Sequence, residues 1–418
     1  MSFMENYKTS YTGARFQLQI YALQANTSIT VKVSSLNFVK LHKLGAGEAV
    51  TVTLPDGVEI GGTETSSKTV QIESSADVTV SAFNYKPYTA DTSVIYPMSE
   101  WGTEYYIFTP SDTPLGTFKE FSISNGKEKN RVEVVPSDLL FYQEGMYIAG
   151  SQLVVDLLPY QSIQIQSTSE LTGTRVSSKL PVAVFTGHTC TWEFSKCSHV
   201  FEQLLPVSSW GSSFIVPPLS FQKGQDTVII QASQATRVTV RKGSKVDVVS
   251  LEQGKAKEFY IQQPDAMTIQ ADHGVQVLLL FNGVMPVMGQ IYDPFLMTVL
   301  PSQHFCSSYF LEGQDGFENK ALLVVKTNEL ATLRIDGKPM PNTVQWTSIS
   351  ASEFSWAEMG YPDNRHTMTL GSPFALYSVG VSYMNGYGSP ALCGQAGKLR
   401  KDCCIRSEEG ACLSQYTC

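Results

Sequence analysis

The chain has 418 residues, 42% hydrophobic and only 16% charged, with 30 Lys plus Arg against 38 Asp plus Glu and a net charge of -8. Such a length exceeds the usual single domain and can bury a large core, while the acidic balance excludes binding driven by phosphate neutralisation, so nucleic acid is not an expected partner. The longest apolar stretch, residues 275–289, is broken by Asn282, Gly283 and Pro286 and falls short of the roughly 20 residues a membrane-spanning helix requires.

The opening residues, MSFMENYKTSYTG, contain Glu5 and no apolar run of the kind a secretory signal uses. Yet the chain has eight cysteines, and Cys393, Cys403, Cys404, Cys412 and Cys418 crowd into its end. That density points to an oxidising compartment. The expectation is a secreted, extracellular chain whose beginning is incomplete. One sequon, Asn26-Thr27-Ser28, stands in a strand-like context and is usable for glycosylation only on the secretory route.

From residue 15 onward, short runs alternate apolar and polar residues between Gly, Pro, Asn and Asp, the period of strands. Four segments share one form, two strands joined by a polar turn: residues 15–33 (RFQLQIYALQANTSITVKV), 119–136 (KEFSISNGKEKNRVEVVP), 226–240 (DTVIIQASQATRVTV) and 319–335 (NKALLVVKTNELATLRI). Each is followed by a buried-strand pattern, ADVTVSAFNY, LPVAVFTGH, HGVQVLLLFNG and SPFALYSVGV. A third element, MSEWGTEYYIFTP at 98–110 and VSSWGSSFIVP at 207–217, closes the first two units, with a weaker copy at 302–311. The period of roughly 95 to 105 residues matches one sandwich or two propeller blades. The fold expected is all-β, with four tandem, closely packed, sandwich-like repeats at 1–110, 111–217, 218–311 and 312–388, and a Cys-rich tail at 389–418. A propeller-like closed ring is the alternative, set aside because each unit has more strand candidates than a blade.

The sharpest local constellation is GHTCTWEFSKCSH, in which Cys190 and Cys197 are flanked by His188 and His199. One reading is a Cys190–Cys197 disulfide closing a short loop. The other is zinc, held by His188, Cys190, Cys197 and His199 in a metal-dependent hydrolase with Glu202 beside His199, although that spacing is not a usual zinc knuckle. Cys306 has no close neighbour and is assigned to Cys393. No nucleophile elbow, HExxH helix, phosphate loop or dinucleotide fingerprint is present, so neither catalytic residues nor a cofactor is expected. GQDGFEN, with Asp315 and Glu318, lacks calcium-loop spacing and reads as a turn. Trp101-Gly102 and Trp210-Gly211 read as core anchors beside glycine-requiring bends, and YPDNRH at 361–366 and YMNGY at 383–387 as aromatic turns able to contact a partner.

WGTEYYIFTP, SSKLPVAVFTGHTC, CSHVFEQLLPVSSWG, VQVLLLF, YDPFLMTVLP and SEFSWAEM together resemble the N-terminal domain of the IgGFc-binding protein family, secreted proteins of mucus, over essentially residues 3–393. The resemblance implies a non-enzymatic module that binds a protein or glycoprotein partner, immunoglobulin G Fc or mucins. The chain departs from the family pattern at Cys306, which has no second cysteine before Ala321. It also shows no downstream von Willebrand-type domain beyond its Cys-rich tail.

Overall fold

The computed structural model describes residues 1–7, 13–111, 115–193, 196–221, 224–287, 290–362, 365–394, 402–406 and 412–417. Alternating Val, Ile, Thr and aromatic residues form strands throughout. Regular structure is almost all β, with only short 3-10 turns beside the strands and no α-helix among the described residues.

Four spine strands organise the sheets: Val78–Lys86, Arg175–Glu193, Met267–Phe281 and Arg365–Ser382. The three long spines each pair with two sets of strands. Their first halves pair with 132–135, 238–242 and 334–335, and their second halves with 119–124, 227–232 and 318–324. The register shifts where a spine passes from one set to the other, as a bulge permits. The first spine is broken instead. Gln71–Ser74 joins one sheet and Val78–Lys86 the other, on either side of Ser75, Ala76 and Asp77.

The pairings add what chain order alone does not give. The two strands of the repeat form do not pair with each other: Arg15–Ala22 pairs with Ala49–Thr53 and its spine, whereas Thr27–Val33 pairs with Phe38–Leu44 and Gln71–Ser74. The Trp-Gly strands Gly102–Tyr106 and Gly211–Val216, and the weaker copy Cys306–Glu312, pair with the second, third and fourth spines. Spacing along the chain shows that an element recurs. Which sheet it joins is decided by tertiary pairing.

An axial strand follows each spine: Thr89–Ile95, Lys196–Gln203, Phe295–Val299 and Asn385–Pro390. The first packs on the second, the second on the third, the third on the fourth, and the fourth on the first. The four axial strands thus close into a ring. Burial is continuous across three of the four junctions. The first unit's core takes in Ala183, Phe185 and Phe201 of the second, the second's takes in Ile229, Leu278, Leu280 and Leu296 of the third, and the third's extends to Leu322, Val324 and Tyr377 of the fourth. No helix among the described residues is long and apolar enough to cross a membrane.

Candidate functional site

The second spine carries His188 into the interior, and the axial strand antiparallel to it brings His199 alongside; both are fully buried. His199 Nδ1 lies 3.1 Å from His188 O and therefore donates to it, leaving Nε2 to accept from Asn84 Nδ2 at 3.0 Å. His188 Nδ1 accepts from Cys190 N at 3.0 Å. Burial pushes both imidazoles down to about 3, and protonating His199 Nε2 would set one donor against another. These rings are neutral structural groups.

The described geometry gives the alternative zinc reading no support. Both nitrogens of His199 are engaged, Cys190 is disulfide-bonded, and among the described residues no three His, Cys, Asp or Glu side chains converge on a common point. The side chain of Cys197, the partner expected for Cys190, lies outside the described residues. Glu202 does not orient His199. Its Oε1 accepts from Thr298 N at 3.0 Å, and burial raises its carboxyl to about 7.

The role of Glu202 belongs to a larger arrangement at the ring's axis. Thr89, Asp91 and Ser93 project from one face of the first axial strand, as residues two apart must. They accept in turn from His199 N (2.7 Å), Phe201 N (3.2 Å) and Gln203 N (2.8 Å). Alternate N–H groups on the second axial strand's free edge are thereby satisfied by side chains. The third axial strand is treated likewise, with Leu296 N donating to Asp91, Thr298 N to Glu202 and Leu300 N to the Tyr377 hydroxyl, at 3.1, 3.0 and 3.2 Å. Asp91 Oδ1 also accepts from Thr92 N at 2.8 Å, and burial pushes its carboxyl well above the usual range despite these donors. Sequence reasoning missed Asp91. The available signal was TADTS, polar at every second position inside a strand that proves buried.

Cys306 and Cys393 form a disulfide with Cα atoms 5.9 Å apart, joining the strand that opens the fourth unit to Leu392–Cys393. Asn26 is exposed, at φ +59° in the turn between two strands and not within one. Trp101 Nε1 donates to Tyr96 O and Trp210 Nε1 to Leu205 O, at 2.9 and 3.0 Å, five residues back in each case. Of the aromatic turns, Tyr361 and Tyr387 are buried, bonded to Ser378 and Asn319, while Tyr383 is 60% exposed. Asp363 and Asn364 lie outside the described residues. Further exposed apolar side chains include Phe141, Met146 and Ile148 at a hairpin of the second unit, and Leu41 and Val39 on an edge strand of the first.

The described site is thus a set of buried polar side chains that bond the backbone of neighbouring axial strands. Residues 91–380 match the family model described as IgGFc binding protein, and the chain belongs to that family. Human IgGFc-binding protein is 33% identical over 398 residues, which cover 94% of this chain and 7% of that protein's length. Among solved structures, a Ca2+-stabilised adhesin with which an Antarctic bacterium binds ice is 9% identical, with 89% of this chain and 90% of that one covered. Its TM-score of 0.12 carries no fold argument.

Proposed function

We propose that the chain is a non-catalytic, extracellular binding module whose partner is a protein or glycoprotein, with immunoglobulin Fc first among the ligands to test and mucin-type glycoproteins second. The observation that carries this reading is family membership over residues 91–380, joined to the burial of His188, His199 and Glu202. The side chains from which sequence would build a hydrolase are enclosed at the ring's axis, engaged with backbone. Recognition then falls to exposed loops and edges, where a few aromatic or apolar anchors supply most of the affinity.

The test is surface plasmon resonance of the purified chain over immobilised Fc and over mucin, with and without chelator. Saturable binding that chelation leaves unchanged is expected. Binding to neither ligand would end the reading. A stoichiometric zinc whose removal abolishes a hydrolytic activity would replace it with the enzyme.

A further inference from the structure

One strand in each unit pairs with the strand before its spine and forms a rim: Ala49–Thr53, Ser162–Ser167, Ala256–Ile261 and Phe354–Gly360. The second and fourth rims are covered. On the second lies Glu64–Ser66, a strand lent by the first unit, with Ser66, Thr65 and Glu64 opposite Ser162, Ile163 and Gln164. On the fourth lies Thr347–Ser348. Both covering strands carry a Thr-Ser pair.

The lent segment is bound chiefly through backbone and hydroxyls. Thr63 Oγ1 accepts from Gln166 N at 2.9 Å, Thr65 Oγ1 meets the Tyr142 hydroxyl at 2.6 Å, and Thr69 Oγ1 meets Ser162 Oγ at 2.7 Å. Its sequence, GGTETSSKT, combines Gly for close approach with small hydroxylated side chains that lie flat against a sheet edge.

The third rim, Ala256–Ile261, holds the same place, yet among the described residues no strand pairs with its outer edge. Lys242 Nζ donates to Tyr260 O at 3.0 Å and so holds one carbonyl of that edge, and Tyr260 is 48% exposed, whereas the phenol that meets the lent strand on the second unit, Tyr142, is buried on the neighbouring strand Leu140–Tyr142. The first rim is also outermost in its sheet, but Phe38–Leu44 packs beside it. An uncovered edge of this kind pairs with another chain unless it is blocked.

We infer that the outer edge of Ala256–Ile261 is a docking site for an extended, Thr/Ser-containing peptide segment of a partner protein, added as a further strand. Main-chain pairing supplies the affinity, and the Tyr260 hydroxyl selects a hydroxylated side chain. The inference rests on the reading as a binding module and locates one of its contact surfaces.

The probe is a capped peptide copying residues 62–68, GTETSSK, added to the full chain and followed by amide hydrogen exchange. Slowed exchange within residues 256–261 is expected, together with at least about tenfold weaker binding when alternate peptide nitrogens are methylated. Tyr260→Ala should weaken binding without changing the melting temperature. Three results would overturn the inference: exchange at 256–261 unchanged under excess peptide, protection appearing at 49–53 in its place, or protection of 256–261 that grows with protein concentration alone and reports a second copy as occupant. Fc binding that persists beside any of these would leave the broader function intact and remove only this site.

Discussion

The axis of the ring and its closing seam solve one problem with different chemistry. At the axis, units adjacent in sequence meet through shared apolar cores and through Thr89, Asp91, Ser93 and Glu202, which take up edge N–H groups inside the protein. At the seam, the first unit meets the fourth through Tyr21, which stacks on Phe310 with centroids 4.9 Å apart and donates to Glu312 at 2.5 Å, while Arg365 approaches both Glu312 and the Tyr21 ring. The crevice there is lined by Gln19, Ser81, Thr92 and Gln314. A buried donor with no acceptor costs about 1–3 kcal/mol, whereas a partly solvated pair contributes about 1 kcal/mol or less. The axis should therefore set global stability and the seam only local opening.

Asp91→Ala tests the axis most severely. It strips acceptors from Thr92, Phe201 and Leu296 N–H together, so a loss of about 4 kcal/mol or more is expected in urea denaturation. Asp91→Asn, which retains one carbonyl acceptor, should cost less. A loss below about 1 kcal/mol for the alanine variant would mean that these bonds do not hold the axis.

Next in size is the Cys306–Cys393 bond, which lies beside the seam because residues 309 and 310 pair with 393 and 392. It spans 87 residues, and a loop of that length corresponds to about 4.6 kcal/mol in the chain-entropy account, of which native-state strain and residual structure in the unfolded chain take a part. Replacing both cysteines by serine should lower the melting temperature and speed amide exchange first at residues 308–312. Uniform acceleration around the ring would show that the bond acts on the whole chain and not on the seam.

The axis also carries the pH dependence. Glu202 titrates near 7 when folded and near the ordinary carboxylate value when unfolded. Between those values the unfolded chain binds fewer protons, so stability falls as pH rises through the window, by up to about 3 kcal/mol. His188 and His199, held down to about 3, act in the opposite sense: their contribution is complete above about pH 6.5 and is lost as pH falls towards 3. Glu202→Gln should reduce the alkaline loss, leaving the share that Asp91 and Glu120, also raised by burial, contribute, and keep the acid one, as stability curves from pH 4 to 8 would show. Parallel curves for variant and parent would contradict the assignment.

Much of this fold is legible in sequence because its cause is local. Period-two alternation identifies strands, and the apolar runs LPVAVFTGH and HGVQVLLLFNG lie along spines buried on both faces over residues 182–188 and 275–281. Trp101-Gly102 and Trp210-Gly211 announce a bend. Strand pairing and ring closure are not legible, since they depend on contacts across hundreds of residues. His188 and His199 look like ligands because imidazole spacing is visible and burial is not. Asp91 looks like a surface residue for the same reason. Nor could sequence show what the glycines avoid: a Cβ on Gly102 would stand 2.3 Å from Pro206 Cβ, and one on Gly211 the same distance from Pro301 Cβ. Each glycine makes room for the proline that opens the next 3-10 turn. Gly211→Ala should cost about 2 kcal/mol by overpacking, while Gly371→Ala, with open space around it, should be nearly neutral.

The smallest effect is the most informative about the seam. Tyr21→Phe keeps the stack on Phe310 and removes only the bond to Glu312, whose charge retains Arg365. A loss of about 1 kcal/mol is expected, read as roughly fivefold faster amide exchange at residues 310–312 and in 390–392, with the axial strands unchanged. Local opening of this kind is how a ring assembled from consecutive units comes apart when its last joint is weaker than the others. If Tyr21→Phe instead accelerates exchange at residues 199–203 and 296–300 to the same degree, the first and fourth units are joined as firmly as the rest, and the seam is one more junction of a uniformly cooperative ring.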